Sequence, residues 1–116
     1  MISMHKGEIW LINLDPTVGA EIRKTRPAIF ISEDAIGILP LRVIVPIMDW
    51  KERFSMAPWM TMILPDAQNG LTKPSAADAF QIRSVSQERF VQCIGSLNSD
   101  QIKQILKAVQ IVIGAT

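Results

Sequence analysis

The stretch "EIWLINLDPTVGAEIRKTRPAIFIS", residues 8–32, decides how this chain is read. Its first seven residues are rich in β-branched and aromatic types and stop at Asp15-Pro16, a turn signal, so they read as a strand. Its last six, "PAIFIS" at 27–32, form a short apolar run opened by Pro27, which a strand tolerates at its first position or on an edge. Between the two runs, Gly19 permits a turn, and Arg23, Lys24 and Arg26 crowd within four positions. Either a strand starts after a solvated charged turn, or a stiff strand holds a small cationic site at its mouth. Charged turns are the commoner arrangement.

Beyond this stretch, "LRVIVPIM" at 41–48 reads as a buried strand with Pro46 near its end, and "PWMTMIL" at 58–64 as another apolar run. "PDAQNGLTKP" at 65–74 carries Pro, Asn-Gly and Pro and reads as a long turn; "DAFQIRSV" and "RFVQCIGSL" are two further strand candidates. The tail is helical: Ile102, Ile105, Leu106, Val109, Val112 and Ile113 recur at helical spacing, with Asn98 or Ser99 as the start cap and Gly114 as the stop. Short strands followed by one packed helix describe a mainly-β, β-rich α+β fold: a small antiparallel barrel or half-open sheet sealed by a C-terminal helix. At 116 residues and 48% hydrophobic, the expectation is one domain over residues 1–116 with one packed core.

Composition narrows the chemistry. The net charge is only +1, so any anion-binding surface must be local. Cys93 is the sole cysteine, which rules out an internal disulfide and a cysteine-based metal site and fits a reducing cytosol; Val91 and Ile94 beside it favour an inert core thiol. The N-terminus lacks a signal-peptide apolar region, and no stretch approaches the roughly 20 apolar residues that cross a bilayer, so a soluble protein without membrane contact is expected. His5 is the single histidine and reads as a surface residue near the chain start. Phosphate loop, nucleophile elbow and zinc patterns are missing. Arg, Lys and carboxylates must then carry any chemistry, and they suit a phosphate substrate, because a guanidinium presents planar, charged donors to phosphoryl oxygens.

Two segments supply such groups. One is Glu21 with Arg23, Lys24, Thr25 and Arg26; the other is "MDWKERF" at 48–54, where Asp49, Lys51, Glu52 and Arg53 surround Trp50. Basic residues beside an exposed aromatic can hold a nucleic-acid strand through phosphate contact and base stacking. The alternative is a charged turn beside a core tryptophan. Of the three tryptophans, Trp10 is assigned to the core and Trp50 to a nucleic-acid contact.

An ordered series of residues then resembles a known family. Gly7-Glu8-Ile9-Trp10, Asp15-Pro16, Gly19, Glu21 and Arg26-Pro27 are followed by "VIVPI" at 43–47, "NGL" at 69–71, "QIRSV" at 81–85, "RF" at 89–90 and "IGSL" at 94–97. Over nearly the whole chain this resembles the MazF/PemK (Kid) toxins of bacterial toxin–antitoxin modules. The resemblance implies an SH3-like barrel of the CcdB/MazF/PemK type and a cytoplasmic homodimer. It also implies a metal-independent, sequence-specific endoribonuclease that cleaves single-stranded RNA, often mRNA, without a cofactor. The implied partner is a cognate antitoxin whose acidic, flexible tail blocks the RNA groove.

Residue by residue, Arg26 in its Arg-Pro setting matches the family's catalytic arginine, and Glu21 matches a functional glutamate. Glu21 is then a base or orienting partner, or else an ion pair that positions Arg26. Arg23 and Lys24, with Thr25, Trp50, Lys51 and Arg53, are expected to contact RNA. Two departures stand out. The family's pattern ends in a threonine where this chain has Met48, and a thioether donates no hydrogen bond, so either Asp49 or a hydroxyl elsewhere substitutes, or cleavage is slow. Phe80 stands where some relatives carry an acidic residue before the glutamine. The competing reading is a non-catalytic or weakened protein of the same fold, gyrase-poison-like or antitoxin-binding only.

Overall fold

The computed structural model describes residues 4–33 and 39–115. Seven strands and one α-helix follow in chain order: β1 (Glu8–Asn13), β2 (Thr25–Phe30), β3 (Leu41–Asp49), β4 (Met60–Ile63), β5 (Ser75–Asp78), β6 (Arg83–Ser86), β7 (Phe90–Ser96) and α1 (Ser99–Ile113). All pairings are antiparallel, in the order β4-β5-β3-β2-β1-β7, with β6 attached to β3. The mainly-β arrangement with a helical tail matches the expectation from sequence.

Strand alternation explains why the central strands look uniformly apolar. Successive side chains point to opposite faces, and here both faces are buried. Ile9, Ile29, Val45 and Ile47 pack on one side with Ile105 of α1, while Trp10, Ala28, Phe30 and Ile44 pack on the other. The second cluster is closed by β6 and β7, which bring Val85 and Phe90 over it; the Phe90 ring meets Trp10 edge-on at 5.5 Å. The helix is framed as the sequence suggested, with Asn98 rather than Ser99 as its cap. Asn98 and Gln101 exchange side chain–backbone bonds at 2.8 and 3.0 Å, and Gly114 stops the helix at φ +70°. Among the described residues no helix is long and apolar enough to cross a membrane.

Four details depart from the expectations. The run 78–85 is not one strand. Asp78 ends β5, its side chain accepts the Phe80 N–H at 3.0 Å, and a 3₁₀ turn over Ala79–Gln81 intervenes before β6. Strand β5 itself, "SAAD", begins directly after the long turn of residues 65–74, ahead of the run at 78–85, where the sequence reading has no strand. Pro27 is the third residue of β2, not its first. Cys93 is exposed rather than in the core, because β7 ends the strand order and its middle residues, Val91 to Cys93, face outward. Burial of its surroundings still pushes the Cys93 thiol upward, so nothing activates it as a thiolate.

The buried Asp78 carboxyl has a consequence for stability. Loss of hydration pushes its pKa up from the ordinary value of 3.8, against the opposing bonds from the Phe80 and Gln81 backbone. A raised native pKa means that its contribution is full below the ordinary value and is lost as pH rises through the native one. Asp78→Asn keeps a carbonyl acceptor for the Phe80 N–H without the charge. Its Tm relative to the parent protein is therefore expected to rise between pH 3.5 and 7; a difference that stays constant across that range would contradict this.

Candidate functional site

The site begins where two strands part. β2 and β3 pair only over Ala28↔Pro46, Ile29↔Val45 and Phe30↔Ile44. Beyond Pro46, β3 pairs with β5 through Ile47, Met48 and Asp49, whereas β2 runs on toward Thr25 with only β1 beside it. The two prolines mark this fork. Pro27 sits where β2 has already left β3, and Pro46 sits between the β6-paired and β5-paired halves of β3. Each lacks an N–H where ladder pairing changes or stops.

The fork opens into two adjoining clefts of about 330 and 360 Å³ that share Arg26, Met48 and Asp49. One is also lined by Lys24, Thr25, Thr72 and Lys73, the other by Glu21, Arg23 and Lys51. Across both, five cations (Arg23, Lys24, Arg26, Lys51 and Lys73) face two carboxylates (Glu21 and Asp49). On a chain whose net charge is only +1, this concentrates positive potential in one place, as an anionic ligand requires.

The loop of residues 14–24 shapes one wall. The Leu14 N–H reaches the Lys24 carbonyl at 3.0 Å, and the Lys24 N–H reaches Asp15 Oδ1 at 3.1 Å. Those bonds hold Lys24 in the left-handed region at φ +69°, a conformation that costs a non-glycine residue about 1 kcal/mol. Arg83 Nη1 donates to the Leu14 carbonyl, and Arg89 Nη1 donates to the Asn13 and Asp15 carbonyls. Arg26 donates from Nε to the Arg23 carbonyl at 3.3 Å. Among the described residues its two Nη groups have no hydrogen-bond partner, so the fork is presented to the cleft. The Glu21 Oε1 accepts the Val18 N–H at 2.5 Å, closing its own turn; no ion pair with Arg26 forms among the described residues. Asp49 pairs with Lys73, Nζ to Oδ2 at 3.0 Å.

The opposite wall went unread in the sequence. Thr72 and Lys73 lie within residues 65–74, which read only as a turn, and Ser75 follows directly. Asn69 fixes that stretch from a fully buried position: its Nδ2 donates to the Leu64 carbonyl, and its Oδ1 accepts from the Leu71 and Asp66 N–H groups. Leu71 in turn lines the cleft. The loop crosses β7 so closely that a Cβ on Gly95 would lie 2.3 Å from the Gln68 carbonyl oxygen. The signal available in the sequence was a cation and a threonine directly after the Asn-Gly-Leu motif.

Trp50 and Arg53 fall outside the cleft lining. Trp50 is half-buried, meets Phe54 edge-on at 5.8 Å, and its indole nitrogen is buried without a partner among the described residues. Arg53 lies over the Phe54 ring at 5.4 Å. Phe80 is 61% exposed, packs on Trp59 at 5.4 Å and does not line the cleft. Trp10 is buried, as assigned. Met48 lines the cleft itself, together with two threonines, Thr25 and Thr72. No group of three or more His, Cys, Asp or Glu side chains is placed to hold a metal ion among the described residues.

Comparison with known proteins bears on this geometry. The family described as PemK-like, MazF-like toxin of type II toxin-antitoxin system matches residues 5–113. The chain is similar to endoribonuclease MazF9 of Mycobacterium tuberculosis, 28% identical over 111 residues that cover 93% of this chain and 94% of that protein. It is also similar to endoribonuclease PemK of Escherichia coli, 44% identical over 45 residues, 38% of this chain and 34% of that one. Its fold matches MazF from Deinococcus radiodurans with a TM-score of 0.82 at 20% identity, covering 98% and 99% of the two chains. It matches a mycobacterial endoribonuclease solved with its cognate antitoxin at 0.77 and 14%, covering 98% of each. With the profile spanning almost all of its length, the chain belongs to the PemK-like, MazF-like toxins of type II toxin–antitoxin systems.

Proposed function

We propose that this protein is the toxin of a type II toxin–antitoxin module and acts as a metal-independent endoribonuclease on single-stranded RNA. The observation that carries the reading is the cationic cleft at the β2–β3 fork, centred on an arginine whose Nη groups face open space. The relatives named endoribonuclease support the same activity.

In this reading a ribose 2′-OH attacks the adjacent phosphorus. The P–O bond to the next nucleotide's 5′-oxygen breaks, that oxygen takes a proton from solvent water and leaves as a 5′-hydroxyl, and a 2′,3′-cyclic phosphate forms. Arg26 stabilises the charge on the phosphorane through a planar pair of donors. Glu21, with Oε1 held by Val18, offers its second carboxylate oxygen to the 2′-OH proton. Asp49 is engaged by Lys73 and orients that side of the cleft. Arg23, Lys24 and Lys51 bind neighbouring phosphates, and Thr25 supplies a hydroxyl donor where Met48 supplies none. Trp50 and Arg53, set back from the cleft, contact only nucleotides of the same strand that lie outside it.

The partners in this reading are a second copy of the chain and a cognate antitoxin, all in the cytoplasm; the mycobacterial endoribonuclease was solved with its own antitoxin. The test is to incubate purified protein with mixed RNA in EDTA. Discrete fragments are expected. RNA left intact across a broad excess of protein would sink the nuclease and favour the non-catalytic toxin-fold alternative.

A further inference from the structure

We propose that Gln81 is a positioning residue that holds the cleft wall carrying Glu21 and Arg23; this inference rests on the nuclease reading. Its carboxamide behaves like a peptide group laid alongside the loop. Oε1 accepts the Ile22 N–H at 3.1 Å, and Nε2 donates to the Ala20 carbonyl at 3.1 Å. These two bonds bracket Glu21. Among the described residues they are the hydrogen bonds that tie residues 18–22 to a distant part of the chain, since the Val18–Glu21 bonds are local. The loop is otherwise exposed apart from Ile22, which packs on the second core cluster and lines the cleft.

Gln81 can serve as an anchor because its own backbone is fixed. It ends the 3₁₀ turn Ala79–Gln81, which Asp78 caps through the Phe80 N–H. Ala79 is buried and donates its N–H to the Trp59 carbonyl at 3.1 Å, and α1 packs on the same turn. A fixed element thus grips an exposed loop by a side chain that lies outside the cleft lining. The break in the strand at 79–81 thereby has a use: it turns the Gln81 side chain toward the β1–β2 loop.

Gln81→Met keeps the length and removes both bonds; Gln81→Glu keeps the acceptor for Ile22 and removes the donor to Ala20. Two ordinary hydrogen bonds support an expected change of about tenfold. Amide exchange at Ile22 is expected to accelerate by about that factor in Gln81→Met and to stay close to the parent in Gln81→Glu, with Ile29 exchange unchanged in both. Single-turnover cleavage should fall by about tenfold when Gln81→Met is made in the parent protein. The same change in a Glu21→Gln/Arg23→Ala background should have less than about a twofold effect, because the groups being positioned are already gone. Unchanged Ile22 exchange, or an equal loss in both backgrounds, would overturn the proposal. Should Gln81→Met fail to fold, Gln81→Glu decides alone: Ile22 protection retained with slower cleavage supports the clamp, and parental cleavage overturns it. The exchange measurement needs no RNA, so a parent protein that cut nothing would defeat the nuclease reading while exchange still judged the clamp.

Discussion

Arg26→Ala lowers RNA cleavage by roughly two to three orders of magnitude, the loss typical of removing a donor aimed at developing transition-state charge. The side chain is exposed, and its one hydrogen bond among the described residues, from Nε to the Arg23 carbonyl, is long at 3.3 Å. Stability should therefore shift by no more than about 0.5 kcal/mol. That separation matters, because a folded but inactive variant assigns the loss to chemistry or binding rather than to the scaffold. Arg26→Lys retains a cation and discards the planar fork, so it should recover only part of the rate. Cleavage rates and thermal melts on the three proteins are the measurement, and full activity in Arg26→Ala would remove the arginine from the mechanism.

Gly95→Ala has the largest expected effect on stability. A Cβ there would stand 2.3 Å from the Gln68 carbonyl oxygen, 2.4 Å from the Asn69 carbonyl carbon and 2.6 Å from the Asn69 carbonyl oxygen. These neighbours are backbone, and the Asn69 side chain that pins them is fully buried, so no flexible chain end can move aside. The facing glycine offers no relief, since a Cβ on Gly70 would lie 2.0 Å from the Ile94 carbonyl oxygen at a φ of +69°. Forcing the loop off β7 should cost about 3 kcal/mol, on the order of 10 °C in Tm. The loss should extend to activity at temperatures where the protein remains folded, because the displaced loop leads into Leu71, Thr72 and Lys73 of the cleft. A Gly95→Ala melt within about 2 °C of the parent would show that the loop yields more readily than this packing allows.

How much of this was legible in the sequence follows from the kind of signal each part left. β1, the core of β2, β3 and the helix were readable because long apolar runs or a helical repeat sit between strong turn signals. β5 was not: its four buried residues are Ser75, Ala76, Ala77 and Asp78, too small or too polar to register as a strand. The break at Ala79–Gln81 depends on one side chain taking a backbone N–H, which hydropathy cannot show. Arg26, Glu21, Arg23 and Lys24 were identifiable because they are neighbours in the chain. Lys73 and Thr72 share their cleft through the β3–β5 pairing, a contact that only the fold makes. The motifs "NGL" and "IGSL" were recognisable as patterns, but their reason, a backbone crossing with no room for a Cβ, lies in the tertiary structure.

The most direct test of the nuclease chemistry uses an RNA oligonucleotide carrying a mapped cut site, incubated in EDTA. Attack by the 2′-OH gives an upstream product ending in a 2′,3′-cyclic phosphate, or the monophosphate from its opening, and a downstream product beginning with a 5′-hydroxyl. Replacing the single attacking 2′-OH by hydrogen is expected to stop that cut alone. A cut retained at the 2′-deoxy position, or a 5′-phosphate on the downstream product, would contradict it.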